Sequence, residues 1–487
     1  MNYKWVALSV TTVGTVMAGV DTRIVVVGLP TIARELGADV EGVIWVSQAY
    51  LLASTVGLLL IGRVTDLIGR VKIYNIGFAV FTLGSFFCSI SFSSAELIVS
   101  RIIQGTGAAM LLTNSVAILT DASPKEELGT ILGLNQIAFR AGSVAGLTLS
   151  GVILAVADWR ALFYINIPIG IFGALWAHMR LKEIAVKDVA RKIDWPGFAT
   201  FTIGLTAILL SITFVSYGLS DTNVGIALAI FGLLLMVAFV RIETRAEAPI
   251  LDLRLFKIRE FMGGNLAQLL NALAWSGVII MLSFYLQLAM GLTALQAGLS
   301  LLPLEATYAI AGPLSGRLSD KYGPKWLSTI GLLVSSAGFF LLSTVSSTTT
   351  YSDISIALAL LGVGNGMFVS PNISSIMGSV PPNRRGIASG FRVTVFNVGL
   401  TASSGLAILL ITTGLPYSVF SSLVEGISQS TTHSAILEFV SGFKIAAFVL
   451  AVVNTAAIIP SFLRGPRHFY EAAPGVDHGK ANNITPS

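Results

Sequence analysis

Gly62-Arg63-Val-Thr-Asp66-Leu-Ile-Gly69-Arg70-Val-Lys72 and Gly316-Arg-Leu-Ser-Asp320-Lys-Tyr-Gly323-Pro-Lys325 are two copies of one polar loop, 254 positions apart. Each copy ends one long apolar run and precedes another. A loop repeated at that distance in an apolar chain predicts an internal structural repeat, the device by which secondary transporters build two states around one site. The chemistry of the loop is legible. Its glycines let two helix ends approach and turn sharply. Asp66 can accept hydrogen bonds from backbone amides at a helix start, while Arg70 and Lys72 anchor one side of the membrane. Two such latches can hold one closed state and release in the other. In the second copy Pro324 stands where the first has Arg70.

Composition sets the solvent. Hydrophobic residues make up 54% of the 487 and charged ones 11%, about half the charge of a soluble domain. The apolar residues fall in blocks of roughly 20 instead of amphipathic stripes, so they are expected to face lipid. The net charge of +5 is spread between apolar runs and forms no single face, which argues for membrane topology and against nucleic acid. Cys88 is the one cysteine and the four histidines are scattered. No disulfide framework, metal site or cofactor is expected. There is no G-x-x-x-x-G-K-[ST], so ATP-driven transport is not expected, and no catalytic constellation points to an enzyme. The apolar run after Lys4 is interrupted by Asp21 and Arg23, and no small-residue cleavage site follows. It reads as a first helix and not as a signal peptide.

About fourteen spans are expected, the first near residues 5–28 and the last near 437–463. Taking alternate connections as cytoplasmic puts roughly 23 of the 30 Lys and Arg on one side. By the positive-inside rule both termini are cytoplasmic, and the chain is a multi-pass protein of the plasma membrane. The two loop copies follow expected helices 2 and 10, eight apart. A six-helix repeat with helices 7 and 8 inserted accounts for this. Gln104-Gly105-Thr-Gly107 matches Val363-Gly364-Asn-Gly366, and Phe139-Arg140-Ala-Gly142 matches Phe396-Asn397-Val-Gly399, at nearly the same offset. The expected fold is all-α, two six-helix bundles plus two inserted central helices. Its parts are 1–182, the inserted pair and its basic connections at 183–260, 261–465, and a cytoplasmic tail at 466–487.

The loop resembles the G-x-x-x-D-x-x-G-R-x-K motif of the major facilitator superfamily. Further segments resemble its fourteen-helix drug–proton antiporters. Trp159-Arg-Ala-Leu-Phe-Tyr-Ile-Asn166-Ile-Pro168-Ile-Gly170 is similar to the segment entering helix 6. Arg101-Ile-Ile-Gln104-Gly105 is similar to the helix 4 motif whose arginine is tied to proton coupling. The stretch from Asp21 to Pro30 is similar to the helix 1 motif, and Trp45 with Ala49-Tyr50-Leu-Leu-Ala53 to helix 2. The chain departs from the pattern in places. Arg23 and Val26 replace the usual threonine and asparagine. In helix 5 Gly142, Gly146 and Gly151 remain, but Leu147 stands for the antiporter motif's proline and Ser150 for a glycine. The resemblance therefore implies transport and leaves antiport open.

Ionisable residues at membrane depth are costly and usually functional. Glu305 falls roughly 16 Å into its helix, near the midplane. Asp21 and Arg101 fall at similar depth in helices 1 and 4 and are plausible partners. Asp21, Arg101 and Glu305 are therefore the candidates for proton coupling. A carboxylate that alternates between a guanidinium and an apolar surrounding can take up a proton on one side and release it on the other. Arg23, Arg101, Arg140, Arg392 and Lys444 outnumber the two acids, which would suit an anionic or zwitterionic solute better than a lipophilic cation. Candidate cavity residues are Gln48, Asn135, Arg140, Asn271, Trp275, Tyr308, Asn372, Arg392 and Asn397. The gating loops are Gly62, Arg63, Asp66, Gly69, Arg70, Gly316, Asp320 and Gly323. The expectation is a monomeric, proton-coupled exporter of drugs or toxic amphiphiles, working between small-molecule substrate, protons and the bilayer. Its alternatives are a transporter of an anionic or zwitterionic metabolite and a non-transporting membrane receptor.

Overall fold

The computed structural model describes residues 2–37, 40–124, 126–184, 194–217, 222–246, 249–292, 294–346, 349–412 and 433–465. The expected tail at 466–487 lies outside them. Among the described residues the chain is helical without strands, which is how a lipid-facing backbone satisfies its own polar groups. The first group is α1 Tyr3–Leu36, α2 Val40–Val56, α3 Leu58–Ile68, α4 Arg70–Ser89, α5 Ser94–Ala122, α6 Leu128–Val156, α7 Ala161–Tyr164 and α8 Asn166–Arg180. A pair follows, α9 Trp195–Tyr217 and α10 Thr222–Glu243. The second group is α11 Arg259–Leu288, α12 Ala294–Ser300, α13 Leu302–Tyr322, α14 Pro324–Ser343, α15 Tyr351–Gly378, α16 Arg385–Thr412, α17 His433–Ala456 and α18 Ile458–Leu463.

Among the described residues, ten helical segments are long and apolar enough to cross a membrane, or eleven if α2 and α3, which bend by 48°, form one span. The count of fourteen is therefore not reached on this criterion. The expected spans 1, 10 and 13 coincide with α1, α13 and α16, which lie outside the set. They carry Asp21, Arg23, Glu305 and Arg392.

Packing follows the repeat. In the first group α1 lies on α6, α4 on α5 and α8, and α2 on α5. In the second, α13 and α14 lie on α15, α11 on α16, and α14 on α17. The groups meet in two seams, α3 against α16 and α13 against α6. The α9–α10 pair packs on α16 and α2, through a cluster that includes Phe201, Leu205, Phe239 and Ile387. Only 17% of the apolar window of α10 is buried, and Ile230, Leu233 and Leu234 stand exposed. So large an uncovered apolar face on a helix of spanning length fits contact with lipid.

The two loop copies fold alike. Gly69 ends α3 with φ 122° and Gly323 ends α13 with φ 86°. In each copy the next helix begins at the following residue. A side chain at either glycine would be strained, because positive φ with extended ψ is open essentially to glycine alone.

Candidate functional site

Three clusters carry the chemistry. The first lies at the end of the molecule where the repeated loops sit. Asp66 Oδ1 and Oδ2 accept from the amides of Gly386 and Ile387 at 2.9 and 3.0 Å. Asp320 Oδ1 and Oδ2 accept from the amides of Gly129 and Thr130 at 2.9 and 3.0 Å. These amides belong to the first turns of α16 and α6, whose N–H groups have no partner within their own helices. Each carboxylate therefore caps a helix of the opposite group, where the helix dipole also favours a negative charge. Backbones approach closely to allow this. A Cβ added at Gly386 would sit 2.5 Å from Asp66 Oδ1, and one at Gly316 would sit 2.5 Å from the Gly129 carbonyl oxygen.

The first latch has an extra layer. Arg70 donates to Asp66 at 3.3 Å, to the Pro382 carbonyl at 2.6 Å and to Asp121. Arg385 donates to the same Asp121 at 2.9 Å. The second latch, with Pro324 in place of arginine, draws its third bond from the Thr130 hydroxyl at 3.0 Å. Arg63, on α3, is fully buried and within electrostatic reach of Glu243. Glu243 accepts from the amides of Ile250 and Leu251 at 3.2 and 3.3 Å, tying the connection after α10 to its helix.

The second cluster surrounds Asp21 on α1. Arg101 Nη1 donates to its Oδ2 at 2.8 Å. Gln104 and Asn166 donate to its Oδ1 at 2.8 and 3.0 Å. Arg101 also donates to Gln104 Oε1 at 2.6 Å and to the Val46 carbonyl at 3.3 Å, and it stacks 4.1 Å over the Tyr50 ring. Asp21 and Arg101 are 0% and 3% exposed at the side chain. The arrangement gives a buried carboxylate bound by one guanidinium and two side-chain amides from α5 and α8.

The third cluster bridges the seam between α6 and α13. Arg140 Nη1 meets Glu305 Oε1 at 3.4 Å. Its guanidinium lies 4.5 Å from the Tyr308 ring and 5.3 Å from the Trp275 ring. Arg23 interacts electrostatically with both Arg140 and Glu305. Glu305 is thus not beside Asp21, and the two carboxylates of the proton-coupling set occupy separate sites.

The remaining cavity candidates divide. Asn397, on α16, donates to Thr55 of α2, the helix that leads into α3, at 3.1 Å. Arg392 is buried, its carbonyl accepts from Gln268, and its Nε has no acceptor among the described residues. Gln48 is buried with its Oε1 likewise without a donor. Asn135 bonds to Thr15 at 3.1 Å, Asn271 to Asn454 at 3.0 Å and Asn372 to the Gly264 carbonyl at 3.1 Å. These three join helices within their own group.

A sequence profile described as Major Facilitator Superfamily matches residues 11–403. The chain belongs to the major facilitator superfamily. It is 31% identical over 403 residues to the riboflavin transporter RibZ of Clostridioides difficile, covering 82% of this chain and 86% of that protein. It is 30% identical over 464 residues to the cephamycin export protein CmcT of Amycolatopsis lactamdurans, covering 94% and 92%. The crystal structure of the human organic anion transporter MFSD10 superposes with a TM-score of 0.66 at 15% identity, over 95% of this chain and 99% of that one. The chain is thus an integral membrane member of a superfamily of transporters.

Reading the sequence alone did not single out the partners that complete these sites. Gln104 and Asn166 lay inside quoted motifs, and their burial was the missing information. Asp121 and Arg385 carried no motif. Gly386 and Gly129 were findable, since they lie 257 positions apart, the offset that relates Phe139 to Phe396.

Proposed function

We propose that this chain is a proton-coupled exporter of drugs or toxic amphiphilic compounds across the plasma membrane. The observation that carries the reading is the Asp21 site, a carboxylate with no exposure, held by Arg101, Gln104 and Asn166. A carboxylate keeps its charge beside a guanidinium and takes a proton when that partner leaves it in an apolar surrounding. Rearrangement of α1 against α5 would do this, loading a proton in one state and releasing it in the other. The export protein CmcT among the relatives supports the direction.

Both termini and the latched loops face the cytoplasm in this reading, so the state described is closed to the cytoplasm. The parts are 1–182, 183–260 with the inserted pair, and 261–465. Asp66, Arg70 and Asp320 gate the cytoplasmic side, and the protein works as a monomer without ATP. Purified protein in proteoliposomes with an imposed pH gradient tests coupling. Wild type should drive solute against its gradient, and Asp21→Asn should abolish this while retaining downhill exchange. Wild-type pH dependence in Asp21→Asn would remove Asp21 from the mechanism.

A second reading is carriage of an anionic or zwitterionic metabolite without obligatory antiport. It is favoured by Arg23 and Arg140 set against Glu305, and by the riboflavin transporter among the relatives.

A further inference from the structure

The two intramembrane ion pairs differ in how completely they are satisfied. Around Asp21 both carboxylate oxygens are engaged, and the pair is closed off from solvent. At the other pair, Arg140 and Glu305 retain 16% and 24% side-chain exposure. Their single contact is 3.4 Å, well beyond the roughly 2.7–2.9 Å of a good guanidinium–carboxylate bond. Glu305 Oε2 is buried with no hydrogen-bond partner among the described residues. The guanidinium fork, built to take a carboxylate by two parallel bonds, is only loosely used by the one that faces it.

Charge points the same way. Arg23 lies within electrostatic reach of Arg140 and Glu305, and Arg140 faces Glu305, so two guanidinium groups share this carboxylate. An uncompensated charge at membrane depth is expensive, and a bound anion neutralises it. A cationic solute would instead meet two guanidinium groups. Trp275 and Tyr308 flank Arg140 and offer flat apolar walls beside the charge, the usual composition of a small-molecule site.

We propose that the solute bound here is an organic anion with a flat apolar body, whose carboxylate or equivalent group takes Arg140 from Glu305. This rests on the transporter reading and names its substrate class. Glu305 then acts as an internal stand-in that holds Arg140 while the site is empty. It follows that neutralising Glu305 should tighten anion binding, the opposite of what a counter-ion for cationic drugs would do.

The test uses the full chain in lipid nanodiscs and equilibrium dialysis with 1-naphthoate, 1-naphthamide and 1-naphthylmethylammonium, empty nanodiscs being subtracted. Naphthoate should bind at least tenfold more tightly than either analogue. Arg140→Gln should weaken it at least tenfold, and Arg140→Lys, which keeps charge but loses the fork, by less. Glu305→Gln should tighten it severalfold, a gain that misfolding does not produce. Preference for the ammonium compound, equal binding of all three, no binding of any, or weaker naphthoate binding in Glu305→Gln would each overturn the proposal. Naphthoate binding as expected with no solute flux in proteoliposomes would sink the transport reading and leave the charge assignment standing.

Discussion

The seam between α3 and α16 and the seam between α13 and α6 start alike and end differently. At the loop end each has an aspartate capping the first turn of the opposite helix, and the paired amide distances agree. Deeper in, the repeat diverges. The α6 position is Arg140, paired with Glu305. Its counterpart on α16 is Asn397, bonded to the Thr55 hydroxyl. On the proposed reading, the closing machinery is kept twice and the chemistry that a solute would meet lies on one side. The comparison predicts that latch lesions act on closure whatever the solute, with the better-supported first latch the more sensitive.

The largest effect should come from Gly386→Val. Even a Cβ there would lie 2.5 Å from Asp66 Oδ1 and 2.7 Å from the Gly62 carbonyl oxygen. Backbone cannot yield as a flexible side chain does, so the first seam should stay ajar. Transport should fall about a hundredfold or more, equivalent to about 2.8 kcal/mol or more against the closed state. Spin labels on the exposed loop-end residues Lys72 and Lys321 should report a longer distance than in wild type. An unchanged distance with full transport would mean that the first seam need not close.

Next in size is Asp66→Asn. One amide oxygen replaces two carboxylate oxygens, so one of the Gly386 and Ile387 amides faces an NH2 group, and Arg70 keeps only Asp121 of its two carboxylate partners. Hydrogen bonds to charged groups contribute about 1.5–3 kcal/mol each, which converts to roughly tenfold to a hundredfold in the closed fraction. Transport should drop by that order while the thermal unfolding midpoint moves little, because no core contact is removed. Full transport by the well-folded variant would count against the latch.

How far the sequence discloses this depends on how local the determinant is. The loop copies could be read directly, because glycine, aspartate and arginine at fixed spacing each impose a local geometry. Gly69 and Gly323 do adopt the backbone only glycine tolerates. The ion pair of Asp21 and Arg101 could be anticipated from matching depth in two helices. The caps at Gly129 and Gly386 were harder, since a first-turn amide has no residue signature and gains meaning only from what docks on it. Asn135, Asn271 and Asn372 show the converse limit. A buried amide looks the same in sequence whether it faces a solute or ties two helices together.

Asp320→Asn should be milder than Asp66→Asn, by about threefold to tenfold in transport. The Thr130 hydroxyl rotates and can donate to an amide oxygen as readily as to a carboxylate, so part of the second latch survives. Double substitution of Asp66 and Asp320 then separates two pictures. Each latch bonds its own helix, so the two losses should add in free energy, as distant sites without shared partners usually do. A double variant no worse than Asp66→Asn alone would show that the first latch by itself decides closure.

The smallest effect belongs to Asn397→Ala. Its bond to the Thr55 hydroxyl is neutral and 3.1 Å long, and such a bond contributes about 0.5–1.5 kcal/mol net. Its loss should cost transport no more than about tenfold, and Thr55→Val should cost a similar amount because both remove the same bond. Neither should alter which solute charge is preferred, since no ion is lost from this seam. Arg140→Gln, at the matching position of the other helix, should change that preference. The decisive measurement is therefore the ratio of rates for matched anionic and cationic solutes in both variants. A shift in Asn397→Ala as large as in Arg140→Gln would show that the two seams read the solute together, and the division of labour drawn from their divergence would fail.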